Sequence, residues 1–440
     1  MLDALLSAAL DRARDGAGVV LSVPAPDAPV ERLLRAVPEG PATLLAPHHG
    51  RVGLAGRGRA LHLTAPSLRQ LREPLVASLA RVAVIAAPGA DGVARALGGQ
   101  TFDPRHPAAD EAWRTFPAAS LTLPRWTLAR VDGRTSLQVA FTRDDAPTAA
   151  SVAAVLHSLE APLPAPHVPR VTCLAGDRDD WEALVRDALA VMRDGRAEKL
   201  VGARPAALRA TAPWCVADVI DRLDVADGCA RFAFEHGDAT FLGASPERLV
   251  SRRGEAVSAD ALAGSLPRGL DVVHDARALL DSAKDRREHD LVVTGIRAAL
   301  REFCDGFEVP DAPVVRTLPR VHHLWTPVRA RLLAGAHLLD LVGAMHPTPA
   351  LGGAPRDVAL DWIAQRERHP RGWYAAPVGW CDAAGGGEFF VAIRSAVLRG
   401  ERAWTYAGAG LVPGSDPARE WDETEAKMSA MRAALGAFDR

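Results

Sequence analysis

The chain has 440 residues, enough for two ordinary domains or one large domain with an extensive core. Its apolar fraction of 48% and charged fraction of 24% are typical of a soluble globular protein, and a formal net charge of −2 gives no basic footprint for nucleic acid. Five widely spaced cysteines without a C-x-x-C motif indicate neither a disulfide framework nor a zinc site, so we expect a reducing, cytoplasmic setting.

The first fifteen residues form an amphipathic pattern with charges every few positions, which is not the pattern of a signal peptide. No apolar run reaches the roughly 20 residues that a membrane-spanning helix needs. We therefore expect neither export nor a membrane-embedded segment.

Residues 1–165 give few signals. Short apolar runs predict strands, and His48 and His49 lie in a loop-like stretch where solvation is the simpler interpretation. The predicted strands are Gly18–Val23, Ala42–Ala46, Arg81–Ala86 and Ser136–Phe141. The Pro-rich stretch Ala161–Arg170 is typical of a connector, after which the chain is more regularly patterned.

Beyond the connector, apolar spacing predicts a helix over Asp177–Asp194 and a strand over Glu198–Arg204. A short helix over Ala217–Leu223 follows. Two hairpins are then predicted, Ala230–Phe234 with Thr240–Leu242 and Arg248–Arg252 with Ala256–Ala259.

A helix beginning after Ser282 has Glu288 in line with its apolar stripe. A carboxylate on a buried stripe needs a partner, which is either a metal ion or the cation of a buried ion pair, such as an arginine. We favour the metal, because a second acidic edge lies near the C-terminus.

That second edge belongs to a helix capped by Ser415 or Asp416. It follows a strand that ends near Arg394 and a predicted turn at Gly408 and Gly410. Three of its side chains line one edge of its apolar stripe: Glu420, Glu423 and Lys427. They suit a hard cation beside an anionic ligand, although an exposed Glu–Lys pair would give the same pattern.

Other candidate residues are individually ambiguous. Lys199 is a desolvated base or a strand-end lysine, and Glu247 a functional acid or a solvated turn residue. Gly264 and Ser265 form a corner that could hold a carboxylate, or an ordinary turn. The His322–His323 pair is more simply solvated than functional.

Taken together, the motifs from about residue 166 to the end resemble the chorismate-utilising enzymes. In order they are E-K-L-V-G-A-R, F-L-G-A-S-P-E-R-L, A-L-A-G-S, K-D-R-R-E-H-D-L-V, V-H-H-L-W-T, H-P-T-P-A-L-G-G-A-P, R-G-W-Y-A-A-P-V-G-W, V-A-I-R-S-A and A-G-A-G-L-V-P-G-S-D-P-A-R-E-W-D-E-T-E-A-K. The resemblance implies an α/β fold in which two large antiparallel-rich sheets form a sandwich flanked by helices. It also implies a catalytic region over residues 166–440. Residues 1–165 would be a variable part, expected to add strands to the same sandwich.

The resemblance further implies a magnesium-dependent reaction on chorismate. Glu288 and Glu423 match the family's metal ligands, with Glu420 close by. The positions that match contacts to the substrate are Gly264, Ser265, His323, Ala350, Tyr374, Ile393, Arg394, Gly408 and Lys427.

Among the branches of the family, the resemblance favours isochorismate synthase. Lys199 matches the lysine that activates water for attack at C2, and Glu247 the acid that protonates the leaving C4 hydroxyl. Ala350 replaces the threonine of the ammonia-using anthranilate and aminodeoxychorismate synthases, so no glutamine amidotransferase subunit is expected. Salicylate synthase is the alternative, half-matched by Tyr374 with Ile393. Both menaquinone and siderophore pathways use isochorismate.

Overall fold

The computed structural model describes residues 2–13, 18–48, 50–106, 110–174, 176–223, 229–318 and 321–437. Within these ranges the helices are α1 (Leu2–Arg12), α2 (Leu33–Ala36), α3 (Arg72–Leu79), α4 (Ala149–Ser158), α5 (Arg178–Arg193), α6 (Val216–Arg222), α7 (Val272–Asp281), α8 (Ala283–Leu300), α9 (Leu338–Met345), α10 (Arg356–Arg366) and α11 (Pro417–Leu435). No helix in the described part of the chain is both long and apolar enough to span a bilayer.

The strands of the first half of the chain are β1 (Val19–Pro24), β2 (Ala42–Pro47), β3 (Val52–Arg57), β4 (Leu61–Ala65), β5 (Ala83–Ala86), β6 (Arg95–Gln100), β7 (Ala119–Leu123), β8 (Trp126–Val131), β9 (Arg134–Phe141), β10 (Val171–Cys173) and β11 (Lys199–Ala210). Those that follow are β12 (Ala230–His236), β13 (Ala239–Ser245), β14 (Arg248–Arg253), β15 (Ala256–Pro267), β16 (Cys304–Glu308), β17 (Val314–Thr317), β18 (Val321–Leu332), β19 (Gly353–Ala354), β20 (Pro377–Asp382), β21 (Gly387–Val391), β22 (Ser395–Arg399) and β23 (Arg402–Leu411).

Two large sheets contain these strands. The first has the order β10-β11-β23-β22-β13-β12-β2-β3-β8-β9-β1-β5, with β19 paired to β11, and only its β1–β5 pair is parallel. The second has the order β16-β18-β15-β14-β21-β20-β6-β7-β4, with β17 paired to β18. Buried residues of both sheets belong to one apolar core, while a second core lies between the first sheet and helices including α1, α4, α6 and α11. The predicted α/β fold with two antiparallel-rich sheets is confirmed.

Strands from both sides of residue 165 share each sheet. In the first sheet β2 pairs with β12, and in the second β6 pairs with β20. The backbone hydrogen bonds of the two parts of the chain are therefore continuous.

Most predicted elements lie close to their expected positions. The helix predicted over Asp177–Asp194 is α5, whose first turn is capped by the Asp177 side chain, and both predicted hairpins are present as β12–β13 and β14–β15. The helix after Ser282 is α8, with the Ser282 hydroxyl as its cap. The exposed His48 agrees with its prediction, whereas His49 lies outside the described residues.

Two local predictions are wrong, and one predicted strand ends slightly earlier than expected. Gly408 and Gly410 do not form a turn but lie inside β23, where they pair with Ala203 and Val201 of β11. His322 and His323 are not solvated, because both are buried in the long strand β18. The strand before Arg394 ends at Val391, and Arg394 itself lies in the crossing from the second sheet to the first, with a φ of 55°.

Candidate active site

A cavity lies between the two sheets, and helices α8 and α11 contribute to its wall. Its empty volume is about 960 Å³, which includes open solvent at its mouth. Of the residues predicted from the sequence, the following line it: Glu247, Gly264, Ser265, Glu288, His323, Ala350, Tyr374, Ile393, Arg394, Gly408, Glu423 and Lys427. Lys199 and Glu420 lie directly behind this lining.

Lys199 forms an ion pair with Glu288. The lysine is the first residue of β11 and is fully buried, which excludes the strand-end lysine that points to water. Its Nζ donates to Glu288 Oε1 at 2.8 Å. A Cβ added at Gly410 would lie 2.7 Å from that oxygen and 3.1 Å from Lys199 Cε, so the pair needs a glycine beside it.

This pair was not predicted, since the sequence suggested a metal ion or an arginine as the partner of Glu288. Burial acts to raise the pKa of Glu288, but the charge and hydrogen bond of Lys199 outweigh it and hold that pKa below its usual value. Glu288 is therefore an ionised carboxylate at the cavity wall.

Glu247 is buried in the connection between β13 and β14, which excludes a solvated turn carboxylate. Burial, followed by the negative charge of Asp260, raises the pKa of Glu247 to about 8, against the opposing pull of nearby cations such as Lys199. Among the described residues its carboxylate forms no ion pair, because Lys199 is engaged by Glu288. At neutral pH Glu247 is a protonated acid facing the cavity.

The first turns of α11 contribute a mixed acidic and basic edge. Asp416 caps the helix by accepting from the N–H of Arg419, and Pro417 occupies its first turn. Glu423 accepts from Lys427 Nζ at 2.5 Å, and the same Nζ donates to the carbonyl of Gly408 at 2.9 Å. The helix thus directs this pair toward β23 and the cavity.

Glu420 lies one turn before Glu423 and is buried. Burial, followed by the charge of Glu423, raises the pKa of Glu420 to about 6, and Lys284 Nζ approaches its Oε1 to 3.9 Å. Repulsion between two neighbouring carboxylates is the electrostatic condition that a divalent cation relieves.

Helices α8 and α11 together supply only oxygen donors, from Glu288, Glu420 and Glu423. In the side-chain arrangement of the described residues, no group of three or more His, Cys, Asp or Glu residues is assembled around one point. Magnesium, however, is commonly held by one or two carboxylates together with water and substrate oxygens. The donor set therefore fits a magnesium ion shared with an anionic ligand.

Arg394 and Tyr374 form a further part of the wall beside α11, where Arg394 Nη1 donates to the carbonyl of Lys427 at 3.5 Å. Arg394 is half-buried, and desolvation lowers the pKa of its guanidinium without removing the charge. Tyr374 stacks on Tyr406 with ring centroids 5.3 Å apart. A Cβ at Gly408 would lie 3.3 Å from the Tyr374 hydroxyl and 2.7 Å from a β11 carbonyl, so glycine keeps this wall open.

The predicted corner at Gly264 is a bulge in β15, where Gly264 has a φ of 78°. The bulge places the Ser265 hydroxyl 2.8 Å from His323 Nδ1 on β18. Burial holds the pKa of His323 well below its usual range, so the ring is neutral. The corner presents a hydroxyl and an uncharged imidazole to the cavity.

The sequence did not single out Lys284, Asp285, Arg371 or Tyr406, all of which line the cavity, whereas Gly410, predicted as part of a turn, lines it from within β23. Two signals could have found some of them. Lys284 and Asp285 begin the motif that contains Glu288, and Arg371 lies four residues after Glu367, the spacing of a helical ion pair.

Comparisons with known proteins show the family and the fold of this chain. A family profile described as "Chorismate binding enzyme" matches residues 9–436. The "Salicylate biosynthesis isochorismate synthase" of Pseudomonas aeruginosa is 47% identical over 359 residues, 78% of this chain and 75% of that protein. "Isochorismate synthase MenF" of Bacillus subtilis is 41% identical over 264 residues, 59% of this chain and 56% of that protein.

Among solved structures, MenF, the menaquinone-specific isochorismate synthase of Escherichia coli, superposes with a TM-score of 0.80 at 26% identity, covering 99% of each chain. The putative 2,3-dihydroxybenzoate-specific isochorismate synthase DhbC of Bacillus anthracis gives 0.75 at 26% identity, covering 93% of this chain and 100% of that one.

Proposed function

The chain belongs to the chorismate-binding enzyme family, and we propose that it is an isochorismate synthase, an isomerase that moves a hydroxyl group on chorismate. The single observation that supports this reaction best is that the proposed base and the proposed acid are not paired with each other. Lys199 is paired with Glu288, whereas Glu247 forms no ion pair among the described residues and is protonated.

In the proposed reaction Lys199 takes a proton from water, which attacks C2 of the ring. The double bonds shift, and the C4 hydroxyl leaves as water with the proton of Glu247. The ring loses one hydroxyl and gains another, so no oxidant or reductant is needed. Lys199 acts as the free amine, whose lone pair accepts the proton of water.

Glu288 and Glu423, with Glu420, would hold magnesium, which when bound neutralises and orients the ring carboxylate of the substrate. Cationic side chains of the protein would bind the same dianionic substrate. Arg394 and Lys427 lie at the cavity wall and are placed to bind carboxylates. Tyr374, Ile393, His323 and the Gly264–Ser265 corner would shape the remaining contacts.

Salicylate synthase is the second candidate, since Tyr374, a residue that this branch often carries, lines the cavity, whereas Ile393 stands where that branch often has leucine. An ammonia-using synthase is a weaker alternative because of Ala350. The relatives named above argue against salicylate synthase, because they are called isochorismate synthases, including the one named for salicylate biosynthesis.

One incubation distinguishes these candidates. The purified protein is given chorismate and magnesium, with or without an ammonium salt, and the products are separated and weighed by mass spectrometry. Isochorismate as the accumulating product is expected. Salicylate formed without a lag would support the second candidate instead, and anthranilate would support an ammonia-using synthase.

A further inference from the structure

Arg371 lies in the cavity wall, yet its side chain is only 3% exposed and its guanidinium is almost fully engaged. Its Nε and Nη2 donate to the two carboxylate oxygens of Glu367 at 2.9 and 2.6 Å. Its Nη1 donates to the carbonyl of Leu351 at 2.8 Å, and its Nη2 to the carbonyl of Val201 at 2.7 Å.

These four bonds leave one of the five N–H groups of an arginine. Strong recognition of a carboxylate by arginine uses two parallel N–H groups. Arg371 therefore cannot offer a substrate carboxylate this paired contact without giving up a bond it already makes. From its position in the wall alone, Arg371 would be expected to bind a carboxylate of the substrate.

The carbonyls that Arg371 joins belong to two adjacent segments, the strand β11 that contains Lys199 and the loop before β19. Val201 is two residues beyond Lys199 in β11, and Leu351 follows Ala350 in the loop that leads to β19. Glu367 contributes a further bond, because its Oε1 accepts from the N–H of Ala203 at 2.8 Å. The ion pair is thus a buried brace between β11 and this loop.

The brace also reaches the first third of the chain. The guanidinium carbon of Arg371 lies 4.2 Å from the centroid of the Phe102 ring, which is buried just after β6. The N–H of Phe102 donates to the carbonyl of Gly372 at 2.6 Å, and Phe102 O accepts from the His346 ring. Residues 1–165 therefore contact the machinery of the cavity directly.

We propose that Arg371 is a positioning residue for Lys199 and not a ligand of the substrate. Glu367 and Phe102 hold its guanidinium in one place. From there it fixes β11 against the Ala350–Leu351 loop, and so fixes the position of Lys199 behind the cavity wall. The role rests on the proposed function in that Lys199 is the base.

The test compares Arg371→Lys, Glu367→Gln and the double variant, with Arg368→Lys as the matched control. Lysine keeps the charge but lacks the fork that joins the two carbonyls. A displacement of about 1 Å at a reacting group can cost roughly 10²-fold in rate. We expect kcat of both single variants to fall about 10- to 100-fold, with KM changed less than about threefold.

The kcat of the double variant should be close to that of either single variant, because both substitutions break the same brace. Arg368 is an exposed neighbour whose ion pairs are with Asp177 and Asp180, so its replacement should leave kcat and KM unchanged. If Arg371→Lys raises KM more than tenfold while Glu367→Gln behaves as wild type, Arg371 binds the substrate and the proposal is wrong.

A merely structural role predicts a lower folded fraction with unchanged kcat per folded molecule, which would also overturn the proposal. Phe102→Leu serves as a milder variant if the others fail to fold, and a smaller fall in kcat at constant KM is expected. Hydrogen exchange of peptides around residues 199–203 and 350–352 gives a readout without substrate. Faster exchange in Arg371→Lys supports the brace, and unchanged exchange overturns it, even if wild-type protein forms no isochorismate.

Discussion

The ionisation of Glu247 is the property of a single residue that the structure defines most sharply. An acid that must donate its proton works only below its own pKa, which burial and Asp260 raise to about 8. We predict that kcat/KM, which reports ionisations of the free enzyme, falls as pH rises through about 8. Asp260→Asn should move this fall to lower pH, since it removes the neighbouring negative charge. If the fall in rate occurs at the same pH in Asp260→Asn as in wild type, the charge of Asp260 does not raise the pKa of the acid.

Replacing Glu247 itself should reduce kcat strongly, because no other protonated acid in the described cavity is placed to serve. Glu247→Gln is expected to lower kcat roughly 10²- to 10⁴-fold with a smaller effect on KM, as for other general acids. Steady-state kinetics with chorismate measure both. A loss confined to KM would make Glu247 a binding residue.

The same substitution has a stability consequence. The pKa of Glu247 is raised on folding from its usual 4.5, so the stabilisation from its bound proton is full below pH 4.5 and is lost as pH rises through 8. In urea unfolding, the free energy of unfolding of Glu247→Gln should therefore rise relative to that of wild type between pH 5 and 8, by at most about 1.4 kcal/mol per pH unit. A constant difference across this range would contradict a buried, protonated Glu247.

Ala350 is the residue on which the choice of nucleophile depends. We predict that ammonium salts give no aminated product, because the methyl group of Ala350 replaces the threonine of the ammonia users. Product analysis by mass spectrometry checks this, with Ala350→Thr as the comparison. An aminated product from wild type at a rate near that of isochorismate would refute it.

At the scale of single elements, α11 links stability to the proposed magnesium site. Asp416 caps the helix, and Glu420 and Glu423 follow within its first two turns. Asp416→Ala should destabilise the protein by about 0.5–2 kcal/mol in urea unfolding and raise the magnesium concentration at half-maximal activity. Asp422→Ala, on the exposed face, is the matched control. If both variants reach half-maximal activity at the same magnesium concentration, the Asp416 cap does not affect the proposed magnesium site.

The two acidic edges are expected to act together on the metal. Glu423→Gln should abolish magnesium-dependent activity while thermal unfolding stays close to that of wild type, because Glu423 is only partly buried. Calorimetric titration with magnesium and a non-reactive dicarboxylate measures binding independently of turnover. Full activity of Glu423→Gln at low magnesium would remove this residue from the site.

At the scale of the whole molecule, residues 1–165 provide one end of each sheet and direct support for the cavity. Trp113 contacts Tyr406, which stacks on Tyr374, and Phe102 stacks on Arg371. Residues 166–440 alone would expose the edges of β12 and β20 that β2 and β6 cover. We predict that this fragment aggregates and lacks a cooperative unfolding transition, measured by light scattering and circular dichroism.

Co-expression of residues 1–165 with residues 166–440 is the informative companion experiment, since strand pairing should restore a soluble complex. A monomeric 166–440 fragment that unfolds cooperatively would show that the second part of the chain folds independently.

Caps such as Ser282 and Asp416 and the spacing of apolar residues act within a few positions of the chain, so the sequence was sufficient to predict α5, α8, α11 and both hairpins. Its motifs, whose order is specific, also indicated many of the side chains that line the cavity, although Lys284, Arg371 and Tyr406 were missed. The partners and ionisation of these side chains depend on the tertiary structure. The Lys199–Glu288 pair, the burial of His323 between sheets and the Arg371 brace each join residues distant in sequence. Desolvation and hydrogen bonding across such distances depend on how the sheets pack, which local patterns do not encode.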